Sequence, residues 1–208
     1  MDRARDRLIM MGMKILLETD RLTLRAATLE DADNLYKLNS DPEVMRYING
    51  GQATPKQEIS DGIIPFWLNF YERGDDLGYW IAQARAGQEF LGWFHFRPGI
   101  GEGVELGYRL RQACWDRGYA TEGSRALVRK GFTDMGVDRI YGHTMTVNTG
   151  SRRVMEKCGM VLTGPFHSGL LPDIPGAEHG EVEYALTRDQ WLASPAWADE
   201  RQARPAQG

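Results

Sequence analysis

Two stretches of the chain place small and polar residues where chemistry could use them. The first runs Val104-Glu-Leu-Gly-Tyr-Arg-Leu-Arg-Gln-Ala-Cys-Trp-Asp-Arg-Gly-Tyr-Ala-Thr-Glu122, which reads as a strand passing through a glycine-containing loop into a helix. The first N–H groups of a helix have no intrahelical acceptors, so the backbone at Arg117, Gly118, Tyr119, Ala120 and Thr121 offers donors to an anion. Gly118 removes the side chain that would hold a diphosphate away from those donors, and Ala120 keeps the approach narrow. A plain strand-to-helix turn with a left-handed glycine would carry the same residues, so the loop alone does not decide. The second stretch is Asn148-Thr-Gly-Ser-Arg-Arg-Val-Met-Glu-Lys-Cys-Gly-Met160. Taken alone, Asn148 there is equally a helix cap and Ser151 a polar residue of the first turn.

Other reactive residue types show no site spacing. Cys114 and Cys158 stand far apart, outside any C-x-x-C pair, and read as buried small hydrophobes, so neither a disulfide framework nor a zinc site is expected. His95, His143, His167 and His179 lack metal-ligand spacing, and no metal is expected. His95 alternates with core residues and is a second candidate base.

The elements that must position these segments follow from periodicity. Residues 21–25 alternate polar and apolar as a half-buried strand does, and Thr28 with Asp31 resembles a capping box opening a helix through Leu35 and Leu38. Thr54-Pro55 with Gln57 predicts a second helix start, and Ile59, Ile63, Phe66 and Phe70 give it an apolar stripe that Pro65 should kink or split. Residues 79–84, 90–96 and 104–110 read as an antiparallel meander. After it come a helix at 121–135 ending at Gly136, a strand at 139–146, a short helix at 151–158 ending at Gly159, and strands at 160–166 and 181–186. Residues 1–15 are expected to be a mobile leader, 16–192 one domain, and 193–208 a mobile tail.

At 208 residues, 42% hydrophobic and 26% charged, the chain suits one soluble α/β domain of mixed α+β character with a single active site. A net charge of -4 supplies no basic field for nucleic acid, and no apolar run reaches signal or membrane length. A cytoplasmic location is expected, with no nucleic acid or membrane partner; a homodimer is compatible with it.

Taken together, Glu105-Leu-Gly-Tyr108, Trp115-Asp-Arg-Gly-Tyr-Ala-Thr-Glu122 and Asn148-x-x-Ser151-x-x-Val154-x-Glu-Lys157-x-Gly159 resemble the GNAT acetyltransferase superfamily. They look most like its branch of ribosomal-protein N-terminal acetyltransferases. The resemblance implies a GNAT fold, with a central mixed, mostly antiparallel sheet, flanking helices, and fourth and fifth strands that splay to admit pantetheine. Those strands would be 104–110 and 139–146. It implies acetyl-CoA as co-substrate and an amine acceptor, either a protein N-terminal α-amine or a small-molecule amine. The alternative is an acyl-CoA-binding regulatory domain with weak turnover. Trp115 stands where many members have Gln or Arg, and Met155 where many have the Tyr that protonates the leaving thiolate.

On that reading, Tyr108, Arg109, Leu110, Arg117, Gly118, Tyr119, Ala120, Thr121, Asn148 and Arg153 are the candidate cofactor-binding residues, and Glu105 and Ser151 the catalytic ones. Glu105 would take the amine's proton, directly or through water, and Ser151 would protonate the sulfur in place of the missing Tyr. A backbone N–H of the same strand near Tyr108 to Leu110 would meet the oxyanion. Arg111 and Arg152 join Arg117 and Arg153 as candidates for the cofactor phosphates.

Overall fold

The computed structural model describes residues 13–100, 102–167 and 174–198. Eight strands form one sheet in the order β1-β2-β3-β4-β5-β6-β8-β7: β1 (Ile15–Glu18), β2 (Leu22–Ala26), β3 (Gly78–Ala84), β4 (Phe90–Pro98), β5 (Val104–Leu110), β6 (Arg139–Met145), β7 (Val161–Phe166) and β8 (Glu181–Thr187). Every neighbouring pair is antiparallel except β5 and β6, which are parallel. The two splaying strands are therefore fifth and sixth, because β1 precedes the strand foreseen as first.

The parallel pair carries the architecture. Its ladder holds only Val104 against Ile140 and Glu105 against Tyr141, after which the strands part, whereas β4 pairs with β5 along the whole length from Pro98–Val104 to Gly92–Leu110. The backbone groups of β5 that face β6 beyond Glu105 thus have no strand partner, and buried N–H and C=O groups require one.

Two cores sit on opposite faces. Leu106 and Leu110 of β5, with Tyr108 packed beside them, join Phe94, Leu127, Val128, Met155 and Cys158 under α5 (Tyr119–Thr133) and α6 (Thr149–Lys157). Leu35, Leu38, Ile64, Trp67 and Trp93 form the second core, beneath α1 (Ala32–Asn39) and α4 (Ile64–Tyr71). Between those helices lie α2 (Pro42–Asn49) and the one-turn α3 (Lys56–Glu58). α3 runs through a π-helical turn at Ile59–Ile63 into α4, whose first turn contains Pro65, so the proline divides the helix as its missing N–H demands.

Some elements depart from the sequence expectation. α2 was not foreseen, although Asp41 caps it through Glu43 N–H, Pro42 opens it and left-handed Gly50 closes it. Thr54 caps nothing; Pro55 holds the N-cap position of α3 and makes no side-chain cap bond. The chain also stays folded past 192: after α7 (Arg188–Ala193) a 3₁₀ turn at Pro195–Trp197 brings Trp197 to full burial. Residues 1–12 and 199–208, the rest of the expected leader and tail, lie outside the described residues. No helix among the described residues is long and apolar enough to cross a membrane.

Candidate active site

Where β5 and β6 separate, a cleft of about 500 Å³ opens. Two helix N-termini converge on it: Gly118, Tyr119, Ala120 and Thr121 from α5, and Asn148, Thr149, Gly150 and Ser151 from α6. Both present first-turn N–H donors and the positive end of a helix dipole, so the cleft is built to receive an anion. Gly118 is the N-cap of α5 at φ +81°, a left-handed conformation that costs other residues about 1–2 kcal/mol. A Cβ there would meet only Arg21 Nη2, at 3.3 Å, which leaves the loop open toward solvent.

The loop is braced from β2. Arg21 donates from Nε to Glu122 Oε2 at 2.6 Å and from Nη1 to the Arg117 carbonyl at 2.9 Å, and its guanidinium covers the Tyr119 ring at 4.6 Å. Thr19 Oγ1 donates to Glu122 Oε1. Neither Arg21 nor Thr19 was foreseen, since their link to the loop spans about a hundred residues and leaves no local pattern.

The cleft gathers Tyr108, Arg109, Leu110, Gly118, Tyr119, Ala120, Thr121, Asn148, Ser151 and Arg153; Arg117 borders the loop without lining the cleft. Asn148 Oδ1 accepts from Ser151 N–H at 3.1 Å, so it is the cap of α6. Arg111 and Arg152 are committed elsewhere, Arg111 to Glu89 and the Phe90 carbonyl, Arg152 to Tyr184 and the Thr146 carbonyl.

One pair was missed by sequence reasoning. The Tyr108 hydroxyl donates to the Ser151 carbonyl at 3.0 Å and lies 3.1 Å from Ser151 Oγ, which joins β5 to α6 across the cleft. Burial holds this phenol protonated far above neutral pH. Met155, at the position where a Tyr was looked for, is 3% exposed and packs in the core. Cys114 and Cys158 are buried thiols, and burial raises the pKa of Cys114.

Glu105 lies at the closed end of the wedge, on the opposite face of β5 from Tyr108, and does not line the cleft. Its Oε2 meets Arg97 Nη2 at 2.6 Å, while Oε1 is 3.7 Å from His143 Nδ1 and 3.9 Å from His95 Nε2. Burial pushes the carboxyl up, but the His143 hydrogen bond and neighbouring positive charge more than offset it and hold it below the usual range. His143 continues the chain outward, with Nε2 3.1 Å from Glu183 Oε2. His95 Nε2 is buried and lacks a hydrogen-bond partner, and desolvation depresses the ring to about 4, so it is neutral at pH 7.

Known proteins resemble this chain in sequence and fold. The family model described as "Acetyltransferase (GNAT) domain" matches residues 21–161. A relative in Aspergillus fumigatus, "FsC-acetyl coenzyme A-N(2)-transacetylase", is 34% identical over 85% of this chain and 77% of its own. Among solved structures, a GNAT acetyltransferase from Bacillus anthracis aligns with TM-score 0.66 and 26% identity, covering 83% of this chain and 98% of its own. RimL, a ribosomal L7/L12 alpha-N-protein acetyltransferase in complex with coenzyme A, aligns with TM-score 0.71 at 18% identity, covering 85% and 99%, a likeness of fold alone.

Proposed function

The chain belongs to the GNAT acetyltransferase family and is an acetyl-CoA-dependent acyltransferase, and from that premise we propose that it passes the acetyl group to a primary amine by direct attack in a ternary complex. The observation that carries this reading is the cleft itself: a splayed strand edge flanked by two helix N-termini, with a phenol and a hydroxyl meeting across it.

The diphosphate is assigned to the N–H groups of 117–121, with Arg117 and Arg153 beside it, and pantetheine to the unpaired edge of β5 at Tyr108, Arg109 and Leu110. Asn148 shapes this wall by capping α6. An N–H of the same strand edge meets the oxyanion, a preorganised donor of the kind worth about 3–4 kcal/mol of barrier. The departing thiolate is assigned its proton from Ser151 Oγ, with the Tyr108 hydroxyl beside it and solvent restoring the proton afterwards, a donor that would stand in for the Tyr absent at 155. Buried, unactivated cysteines favour direct transfer over an acetyl-cysteine intermediate.

Glu105 is the carboxylate assigned to the amine's proton. Because it does not line the cleft it is assigned to act through water; its lowered pKa keeps it ionised, and its charge helps to hold the ammonium that must lose the proton. Glu105→Gln should lower kcat by about 10²-fold with little change in acetyl-CoA affinity. Thiol release from acetyl-CoA, assayed against peptides, amino acids, polyamines and aminoglycosides, checks it; an unchanged kcat would transfer the role to His143.

A further inference from the structure

Arg109 is a cation that the fold leaves without a counter-charge. Arg21, Arg25, Arg97, Arg111 and Arg139 each meet a carboxylate at 2.5 to 2.7 Å. Arg109 has only neutral company: Nη1 donates to Asn39 Oδ1 at 2.7 Å, and the guanidinium lies 5.1 Å from the centroid of the Trp93 ring. Its Nε is buried with no acceptor, and no carboxylate among the described residues pairs with it. Burial draws its pKa down to about 10, which leaves it charged at pH 7. A guanidinium partly withdrawn from water with its Nε unpaired is costly without an anion, and a ligand anion would restore the balance.

Position separates this charge from the cofactor phosphates. Side chains alternate along β5, so Tyr108 and Leu110 point toward α5 and α6 while Arg109 points to the opposite face, against Trp93 and the end of α1. The cleft lining also includes Glu43, Val44, Tyr47 and Ile48 of α2, and Val44 shares a core with the Trp93 ring that Arg109 faces. The charged residues lining the cleft are Arg46, Arg109, Arg153 and Lys157 against Glu43 and Asp116, a positive balance inside a chain of net charge -4. An anionic group at this end would meet an unpaired guanidinium, while the amine beside it would remain within the field of Glu105.

We infer that Arg109 anchors a carboxylate carried by the acceptor, so that the amine substrate is a small amino acid or amino-acid-like molecule bearing both groups. This rests on the acetyl-transfer reading and names the acceptor class within it. The main chain of Arg109 stays with the cofactor edge, and its side chain serves the acceptor.

The test is thiol release from acetyl-CoA by the unaltered protein with each of a set of L-amino acids against its carboxamide, and with spermidine as cation control. At least one acid should be used with kcat/KM about tenfold or more above its amide, the excess residing in KM, because a site built around a charged hydrogen bond rejects the ligand that lacks it. In Arg109→Gln that ratio should fall to about one while the acetyl-CoA Kd moves less than about twofold, and Arg109→Lys should keep part of the preference. Amides used as well as acids, no acid used at all, or spermidine preferred to every acid would overturn the inference. So would an Arg109→Gln protein that keeps the acid preference but loses acetyl-CoA affinity. Failure of acetyl-CoA to raise the melting temperature would instead defeat the acetyl-transfer reading beneath it.

Discussion

At the scale of single residues, the site depends on pairs that a linear reading separates. Ser151 was visible as a polar residue near the cofactor, but its partner Tyr108 emerges only when β5 and α6 are brought together. If the two deliver one proton, Tyr108→Phe should lower kcat by about 10- to 100-fold, Ser151→Ala by less, and the double variant by little more than Tyr108→Phe alone. Additive losses in pre-steady-state thiol release would show that they act separately. His95 was legible as a residue alternating with core positions, not as one whose Nε2 is buried without a hydrogen bond. Its folded pKa of about 4 lies below the usual 6.5, so folded protein resists protonation that the unfolded chain accepts. The stability this contributes is complete above pH 6.5 and lost as pH falls toward 4, up to about 3 kcal/mol. Urea midpoints for the parent and for His95→Gln should therefore converge through that window. Parallel slopes would contradict the assignment.

At the scale of elements, the signals that succeeded were local and periodic. Alternation located the meander, and a proline inside an apolar stripe located the break before α4, because both patterns are fixed by strand and helix geometry. α2 carried equally good punctuation at Asp41, Pro42 and Gly50 but is only eight residues long, between better-marked neighbours. The segment after α7 misled for a different reason: its composition is that of a mobile tail, while one tryptophan sets its structure. Trp197 is fully buried beside Trp191, with Arg125 stacked at 3.8 Å and donating to the Ala196 carbonyl. Trp197→Ala should cost about 3–5 kcal/mol and lower the melting temperature accordingly. A change within a degree or two would return the segment to the tail.

At the scale of the whole molecule, a sheet that pairs fully on one side of β5 and only at Val104 and Glu105 on the other produces one wedge, and two helices supply donors at its mouth. The fold, and the strand–loop–helix that opens α5, were readable from three motifs in order. The acceptor side, which we assign to α1, α2 and the outward face of β5, was not, because residues on those elements share no motif. The measurement that bears most directly on the account is the melting temperature of the unaltered protein and of Gly118→Val during titration with acetyl-CoA. The unaltered protein should be stabilised with the logarithm of ligand concentration above Kd, by about 2.7 kcal/mol at a hundred times Kd. Gly118→Val should start a few degrees lower, because φ at 118 is +81°, and should show no response to ligand. A full shift in Gly118→Val, or none in the unaltered protein, would contradict the placement of acetyl-CoA in this cleft.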